Sequence, residues 1–170
     1  MNRISGWHIA FFVLAALFLC LSSSLLFGSA WELVAYQAIG DQRVYAYRDW
    51  QSTSYTVGPG DSFDIWAEGQ WLYSPQAGMH GPEGHPVYWA PSFYPLPGVR
   101  GGALIGRIGE FGQPFYVGRH HHMTSWEQDY PREGDRQVGR LYLRINDDLL
   151  GDNKGHVTVR IAVTAPQAAD

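Results

Sequence analysis

The residues best suited to chemistry lie between the last two hydrophobic segments of the 170-residue chain. Residues 146–155 read Asn-Asp-Asp-Leu-Leu-Gly-Asp-Asn-Lys-Gly and carry three carboxylates and two side-chain amides. Hard cations such as Ca²⁺ take about six to eight oxygen ligands from carboxylates, amides and main-chain carbonyls. Gly151 and Gly155 supply the backbone freedom that a short wrapping loop needs. The pattern predicts a calcium site, with an ordinary Asp-, Asn- and Gly-rich β-turn as the alternative.

Two strands must hold this loop, and its flanking segments alternate with a period of two. Residues 141–145 read Leu-Tyr-Leu-Arg-Ile, and residues 157–163 place Val, Val, Ile and Val at every second position. Such segments bury one face in the core and expose the other face to solvent. Further strand-like segments lie at 44–47, 53–57, 62–67, 70–73, 103–108 and 114–117, between Gly, Pro and Asp turns. The sequence therefore predicts an all-β domain over 44–164, an antiparallel β-sandwich of about eight short strands.

Composition excludes several classes of protein. Aromatic residues make up 15% of the chain and charged residues only 16%, which argues against disorder. The chain has 20 Gly, 10 Pro and few of the charged residues that favour helices, and this composition is unlike that of a helical bundle. A net charge of -4 argues against a nucleic-acid partner, and one Cys cannot form an internal disulfide.

The first 30 residues predict a membrane segment. Residues 9–28 carry no charge, and a helix of that length spans the hydrocarbon core of a bilayer. Arg3 precedes the segment and Glu32 follows it, which places the N-terminus inside. We expect one N-terminal transmembrane helix (1–30), a juxtamembrane connector (31–43) and a short tail (165–170). A cleaved signal peptide ending near 28–30 is the alternative, although the apolar segment is longer than usual for one.

Several motifs resemble those of the PA-I-type galactophilic lectins, a bacterial family of calcium-dependent, galactose-binding β-sandwiches. The clearest match runs from Gly139 to Val159 and contains the strand–loop–strand segment described above. Residues 57–61 (Val-Gly-Pro-Gly-Asp), 67–71 (Ala-Glu-Gly-Gln-Trp), 73–75, 81–84 and 102–109 resemble other family elements in the same order. The resemblance covers about 44–163 and implies a galactose-binding-like sandwich.

The resemblance also implies a set of site residues. The implied ligands of one Ca²⁺ are the main-chain carbonyl of Tyr73, the Asp147 carboxylate, a carbonyl of Leu149 or Leu150, and the side chains of Asp152 and Asn153. Two sugar hydroxyls would complete the shell, and His85 would contact the sugar, so the implied carbohydrate site is Tyr73, His85, Asp147, Asp152 and Asn153. Asp152 replaces a family Asn and adds negative charge. The loop is shorter than the corresponding loop of the family. The glutamine through which the family contacts its sugar has no clear counterpart after Pro86.

Two other groups of residues allow further interpretations. On a strand, His120 and His122 would share a face while His121 points away. The two interpretations of this segment are a polar surface loop and a zinc or copper site. The aromatic residues of 88–94 suit stacking on sugars or contact with a protein or a membrane. We find no G-x-S-x-G, H-E-x-x-H or P-loop motif, and we expect no enzymatic activity.

These features predict one of two functions. The first is a membrane-anchored, calcium-dependent carbohydrate-binding module. It would be single-pass in the inner membrane, with its C-terminal domain periplasmic or extracellular. The alternative is a structural accessory subunit of a bacterial membrane complex, respiratory or photosynthetic, whose lectin-like domain packs on the periplasmic face. The Asp/Asn loop favours the first, and the apolar segment with the aromatic 76–101 stretch favours the second.

Overall fold

Alternating apolar and polar residues build two antiparallel sheets in the computed structural model, which describes residues 37–125 and 139–165. These ranges contain nine strands: β1 (Gln37–Tyr45), β2 (Gln51–Val57), β3 (Ser62–Ser74), β4 (Gly78–His80), β5 (Leu104–Ile108), β6 (Phe115–Tyr116), β7 (His120–Thr124), β8 (Gly139–Ile145) and β9 (Lys154–Thr164). In the same ranges, helical structure is limited to a 3₁₀ turn at Leu150–Asp152. The predicted all-β antiparallel sandwich is confirmed.

The long strand β3 organises the five-stranded sheet, which runs β1-β9-β3-β4 with β7 also paired to β3. On one side β3 pairs with β9 from Ser62↔Thr164 to Leu72↔Lys154. On its other side β7 covers the first part of β3 and β4 covers the last part. The first described residue, Gln37, pairs near the end of β9, at the end of the sheet opposite to Lys154.

The second sheet has four strands in the order β2-β8-β5-β6. Because β8 belongs to this sheet and β9 to the other, the 146–153 connection crosses from one sheet to the other. It does so at the end of the sandwich where Leu72 pairs with Lys154. The loop singled out in the sequence therefore lies at one pole of the sandwich, with a sheet on either side.

In the described ranges, one hydrophobic core lies between the sheets. Its largest fully buried side chains include Trp71, Phe63, Ile65, Leu104, Leu141, Leu143, Ile145 and Ile161. Burial of each such side chain contributes about 1.5–3 kcal/mol relative to its exposure. The period-two interpretation of the two last strands is confirmed at their inward positions, because Leu141, Leu143 and Ile145 on β8 and Val157, Val159 and Ile161 on β9 are all fully buried.

The structure departs from the expected strand pattern at several points. β1 begins at Gln37, inside the range expected to be a connector. Most of its residues are not apolar, and it forms a strand because its main chain pairs with β9 at the sheet edge. The expected segments 62–67 and 70–73 form one strand, which passes through Gly69 at φ +99°. Two short strands, β4 and β7, were not predicted. Arg144, expected on the wet face of β8, is buried instead.

Several sequence predictions lie outside the described residues. These are the N-terminal transmembrane helix at 1–30, the first part of the connector, and the tail from residue 166. Among the residues that the structure does describe, no helix is long and apolar enough to span a membrane.

Candidate functional site

Arg144 fixes the start of the loop between β8 and β9. Its Nε donates to the carbonyl of Ile145 (3.0 Å) and its Nη2 donates to the carbonyl of Asp147 (2.7 Å). Its Nη1 pairs with the Asp49 carboxylate, and its guanidinium lies 5.5 Å from the ring centroid of Trp50. Desolvation by burial lowers the pKa of Arg144, and the nearby carboxylates oppose that shift. The buried guanidinium therefore holds the main chain that leads into Asp147.

Asn146 attaches this loop to the preceding aromatic-rich segment. Its side chain is fully buried. Its Oδ1 accepts from the N–H of Leu96 (3.0 Å), and its Nδ2 donates to the carbonyls of Leu96 (2.9 Å) and Arg100 (3.4 Å). All of these hydrogen bonds go to main chain that lies about 50 residues away in sequence. Asn146 is therefore a structural residue that brings the 76–101 segment to the pole where the loop lies.

Asp147 and Asn153 are joined by a hydrogen bond across the loop. Asn153 Nδ2 donates to Asp147 Oδ2 (2.7 Å) and to the carbonyl of Ala46 (3.3 Å). Asp147 Oδ1 accepts a longer bond from the N–H of Leu149 (3.4 Å). Asp147 is only 4% exposed. Burial raises its pKa, against the lowering effect of the Asn153 and Leu149 hydrogen bonds. The carboxylate is therefore held in a poorly solvated place with few donors.

Two oxygen atoms of the same loop have no hydrogen-bond partner in the described part of the chain. They are Oδ1 of Asp152 and Oδ1 of Asn153, and both atoms are buried from solvent. Buried polar atoms without partners are rare in folded proteins, and each one calls for a ligand, an ion or a water. A carboxylate oxygen and an amide oxygen are both ligands that Ca²⁺ prefers. The residues implied by the lectin resemblance thus fit a hard cation.

The remaining implied ligands are main-chain carbonyls. Leu149 caps the 3₁₀ turn, and the carbonyl of Leu150 accepts from the N–H of Asn153 (3.4 Å). Because a carbonyl oxygen has two lone pairs, the turn removes neither residue from the candidate set. Within the described ranges, no group of three His, Cys, Asp or Glu side chains converges as a metal site. The candidate set accordingly contains two carboxylates, and amide and carbonyl oxygens would supply the rest.

Tyr73 connects this loop to a cavity. Tyr73 follows Leu72, the last residue of β3 that pairs with β9. The pairing of β3 with β4 also shifts register between Leu72 and Ser74, so the main chain of Tyr73 leaves the regular ladder. Its hydroxyl is 2.7 Å from that of Tyr94. Burial raises the pKa of Tyr73 to about 12; the Tyr94 hydrogen bond opposes the shift, and the charge of Asp147 adds to it. The Tyr73 ring lies against Gly102, whose N–H donates to the carbonyl of Asn146 (2.8 Å), so Tyr73 is close to the start of the loop.

The cavity beside Tyr73 has a volume of about 400 Å³. It is lined by Tyr73, Ser74, Gln76, Ala77, His85, Val87 and Tyr88. The Tyr73 ring lies 6.5 Å from that of His85 and 6.3 Å from that of Tyr88. An aromatic wall with a few polar groups is typical of small-ligand sites. Sequence reasoning identified Tyr73 and His85 but missed Ser74, Gln76 and Ala77, whose signal was only their position directly after Tyr73.

Hydrogen bonds determine which nitrogen of His85 can meet a ligand. Its Nδ1 accepts from the N–H groups of Val87 (3.2 Å) and Tyr88 (3.0 Å). In the neutral ring the proton therefore sits on Nε2, which is left as a donor. Desolvation, with the charges of His80 and Arg100, lowers the pKa of His85 and favours this neutral form. His85 can donate one hydrogen bond to a hydroxyl oxygen.

The three consecutive histidines lie away from this pole, on β7. His120 Nε2 and His122 Nδ1 contact the two oxygens of Asp64 at 2.9 and 3.1 Å. His121 is on the other face and stacks on Phe115, with ring centroids 5.0 Å apart. The predicted alternation of the three side chains is confirmed.

Comparison with known proteins adds one finding about the fold. No protein-family model and no curated protein matches the chain. A solved chain described as "EclA N-terminal domain; PllA-like lectin" matches with a TM-score of 0.51 and 22% sequence identity, covering 74% of this chain and 97% of that one. The chain has a lectin-like β-sandwich fold. At this identity the likeness concerns the fold alone, so the site must be judged from its own residues.

Proposed function

We propose that this chain is a calcium-dependent carbohydrate-binding module, without enzymatic activity, of the PA-I-type galactophilic lectin kind. The observation that carries the proposal is the pair of buried oxygens on Asp152 and Asn153 that have no hydrogen-bond partner among the described residues, together with the hydrogen bond from Asn153 Nδ2 to Asp147. Tyr73 lines a cavity in which His85 offers a hydrogen-bond donor. The lectin-like fold supports the same reading.

Each residue of the proposed site has a distinct task. One calcium ion would be held by the carbonyl of Tyr73, a carbonyl of Leu149 or Leu150, and the side chains of Asp147, Asp152 and Asn153. When bound, that ion supplies a hard positive charge that sugar hydroxyls can coordinate. His85 Nε2–H donates to a hydroxyl oxygen, and the ring of Tyr88 offers an apolar surface to the C–H groups of the sugar. Arg144 and Asn146 position the loop and do not touch the ligand.

We further propose that the module is anchored in the inner membrane by the apolar segment 9–28, with its C-terminal domain on the periplasmic or outer side. The support is the uncharged length of that segment and the charges that flank it. Gln37 lies at the end of the five-stranded sheet opposite to the candidate site.

A glycan array probed with the full chain tests this function. We expect at least one class of glycan whose binding requires millimolar Ca²⁺ and is lost both in chelator and in the Asp152→Asn, Asn153→Ala double variant. The matched control is Asp148→Asn, because Asp148 is exposed and adjoins the same loop. If every glycan that binds does so equally with and without chelator, the calcium-dependent site is wrong.

A structural accessory subunit of a membrane complex is the second candidate function. Three side chains near the cavity favour it, since Val87, Trp89 and Phe93 are 75%, 60% and 67% exposed. Exposed apolar side chains grouped in one segment are typical of protein contact surfaces. Purification of the full chain in a mild detergent tests this function. A stoichiometric membrane partner that is lost in a Trp89→Ser, Phe93→Ser variant would support it, and a chain that purifies alone would contradict it.

A further inference from the structure

A second cluster of ligand-binding chemistry lies on the outer face of the five-stranded sheet, away from the loop. Trp66 on β3 is 37% exposed between two buried neighbours, so its indole points outward. Its cross-strand partners are Arg160 on β9 and His120 on β7. Asp41 on β1 pairs in turn with Arg160. These four residues form a row across four strands, and none of them belongs to the site proposed above.

The indole of Trp66 is held in a fixed orientation. The His120 ring stacks on it with centroids 5.2 Å apart and planes 12° apart. His120 is held in turn by Asp64, which also binds His122. An aromatic side chain that is already ordered loses little conformational entropy when a ligand covers it. Trp66 is therefore a rigid platform.

The same indole lines a cavity of about 310 Å³ with a polar rim. The other lining residues are Asp41, Ala67, Glu68, Arg119, Thr158 and Arg160. Arg160 Nε donates to Asp41 (3.3 Å), and Arg119 pairs with Glu83. Within the described ranges, no hydrogen bond or ion pair engages the carboxylate of Glu68 or the hydroxyl of Thr158. The rim thus carries donors and acceptors around one aromatic platform.

This combination suits a neutral, polyhydroxylated ligand. The charges on the rim are mixed, and the two arginines already have carboxylate partners, so the cavity has no strong preference for an anion or a cation. The C–H face of a sugar packs on an indole, while its hydroxyls can donate to Glu68 and accept from Arg160. A purely apolar partner would leave these polar groups unpaired, which costs binding energy.

We propose that the Trp66 cavity is a second saccharide-binding site that works without calcium. No residue of its lining lies in the 146–153 loop or beside His85. At about 3.3 Å per residue, the stretch of β3 from Trp66 to Tyr73 spans roughly 23 Å. Two sites at that separation on one rigid strand would let the module hold one glycan chain, or a glycan-covered surface, at two points and increase its avidity.

A glycan array of neutral oligosaccharides, probed with the full chain in chelator, tests this proposal. We expect a subset of glycans that binds in chelator, tolerates His85→Ala, and binds at least tenfold more weakly to Trp66→Ala. The Trp66→Phe variant should retain part of the binding because it keeps an aromatic face. The control is Phe111→Ala, which removes an aromatic side chain that is 75% exposed and lies outside the cavity.

The outcomes separate this site from the calcium site. Absence of any binding in chelator overturns the second site and leaves the first intact. Chelator-resistant binding that Trp66→Ala does not weaken also overturns it. If calcium-dependent binding fails while chelator-resistant binding requires Trp66, the first site is wrong and the second stands. The melting temperature of each variant confirms that the sheet is still folded.

Discussion

Replacing Asp147 by asparagine should separate the loop's response to calcium from its intrinsic stability. Asp147 is almost completely buried, and the hydrogen bonds that it accepts come from Asn153 and from the main-chain N–H groups of Leu149, at 3.4 Å, and of Asp148. A buried carboxylate with so few donors is costly to desolvate. Asparagine has the same shape and one acceptor oxygen, and it carries no charge. Without calcium, we expect the Asp147→Asn protein to be as stable as the wild type, or more stable by up to about 1 kcal/mol.

With calcium, the order should reverse. At a free concentration of about 100 times Kd, a ligand that binds only the folded state stabilises it by about 2.7 kcal/mol. For a domain of this size, each kcal/mol corresponds to roughly 3–5 °C, so the wild type should melt about 10 °C higher. Asp147→Asn removes one carboxylate from the proposed set and should lose most of that gain. The exposed neighbour Asp148 supplies the control, since Asp148→Asn should keep the wild-type response.

Differential scanning calorimetry of the three proteins, in chelator and across a calcium titration, measures both effects. The reasoning would be refuted by either of two results. One is a wild-type melting temperature that does not change up to millimolar calcium. The other is an Asp147→Asn protein that responds to calcium as strongly as the wild type. Marked destabilisation of Asp147→Asn in chelator would show instead that the carboxylate is well solvated or well paired in the metal-free protein.

Three further predictions concern other residues. Gly102→Ala should destabilise the fold by about 1–3 kcal/mol in urea unfolding, because its φ is +73° and a Cβ would lie 2.8 Å from Cγ of Tyr73; Gly151→Ala, with open space around it, should change little. His85→Phe should weaken calcium-dependent glycan binding about tenfold or more in isothermal titration, whereas unchanged binding would exclude the Nε2 donor; calcium affinity should stay the same. Burial alone would raise the pKa of Asp64, but the hydrogen bonds from His120 and His122 outweigh it and lower that pKa. This interaction stabilises the fold fully above the unfolded pKa and is lost as pH falls through the lower folded pKa. Asp64→Asn should therefore lower the melting temperature at pH 6, and its effect should shrink as the pH falls below the ordinary aspartate pKa of 3.8. An effect that does not shrink on acidification would contradict that assignment.

The strands that hold the loop could be read from residues close together in sequence. Leu141, Leu143 and Ile145 alternate with bulkier or charged residues, and the structure buries all three. Alternation shows in sequence because the pleat of a strand places every second side chain on the same face. β7 escaped the same reasoning, because His120, His121 and His122 carry no contrast between an apolar and a polar face. Its strand exists because its main chain pairs with β3.

Arg144 shows the limit of alternation in the opposite direction. Its position on β8 predicts a wet face, yet its guanidinium is buried by Asp49, by Trp50 and by the carbonyls of the loop. Asp49 and Trp50 come from a distant part of the chain, and no local pattern encodes their approach. Burial of a charge is tolerated there because every partner is an acceptor or an aromatic face.

The sequence by itself determined the all-β class, the two strands around residues 146–153 and the oxygen-rich chemistry between them, since each depends on residues only a few positions apart. The tertiary structure decided which oxygens of that loop lack a partner, that His85 meets Tyr73 at one cavity, and that Trp66 stacks on His120 at another. These contacts join residues that are far apart in the chain. The register and packing of the sheets create these contacts, and neither can be read from residues that are close together in the sequence.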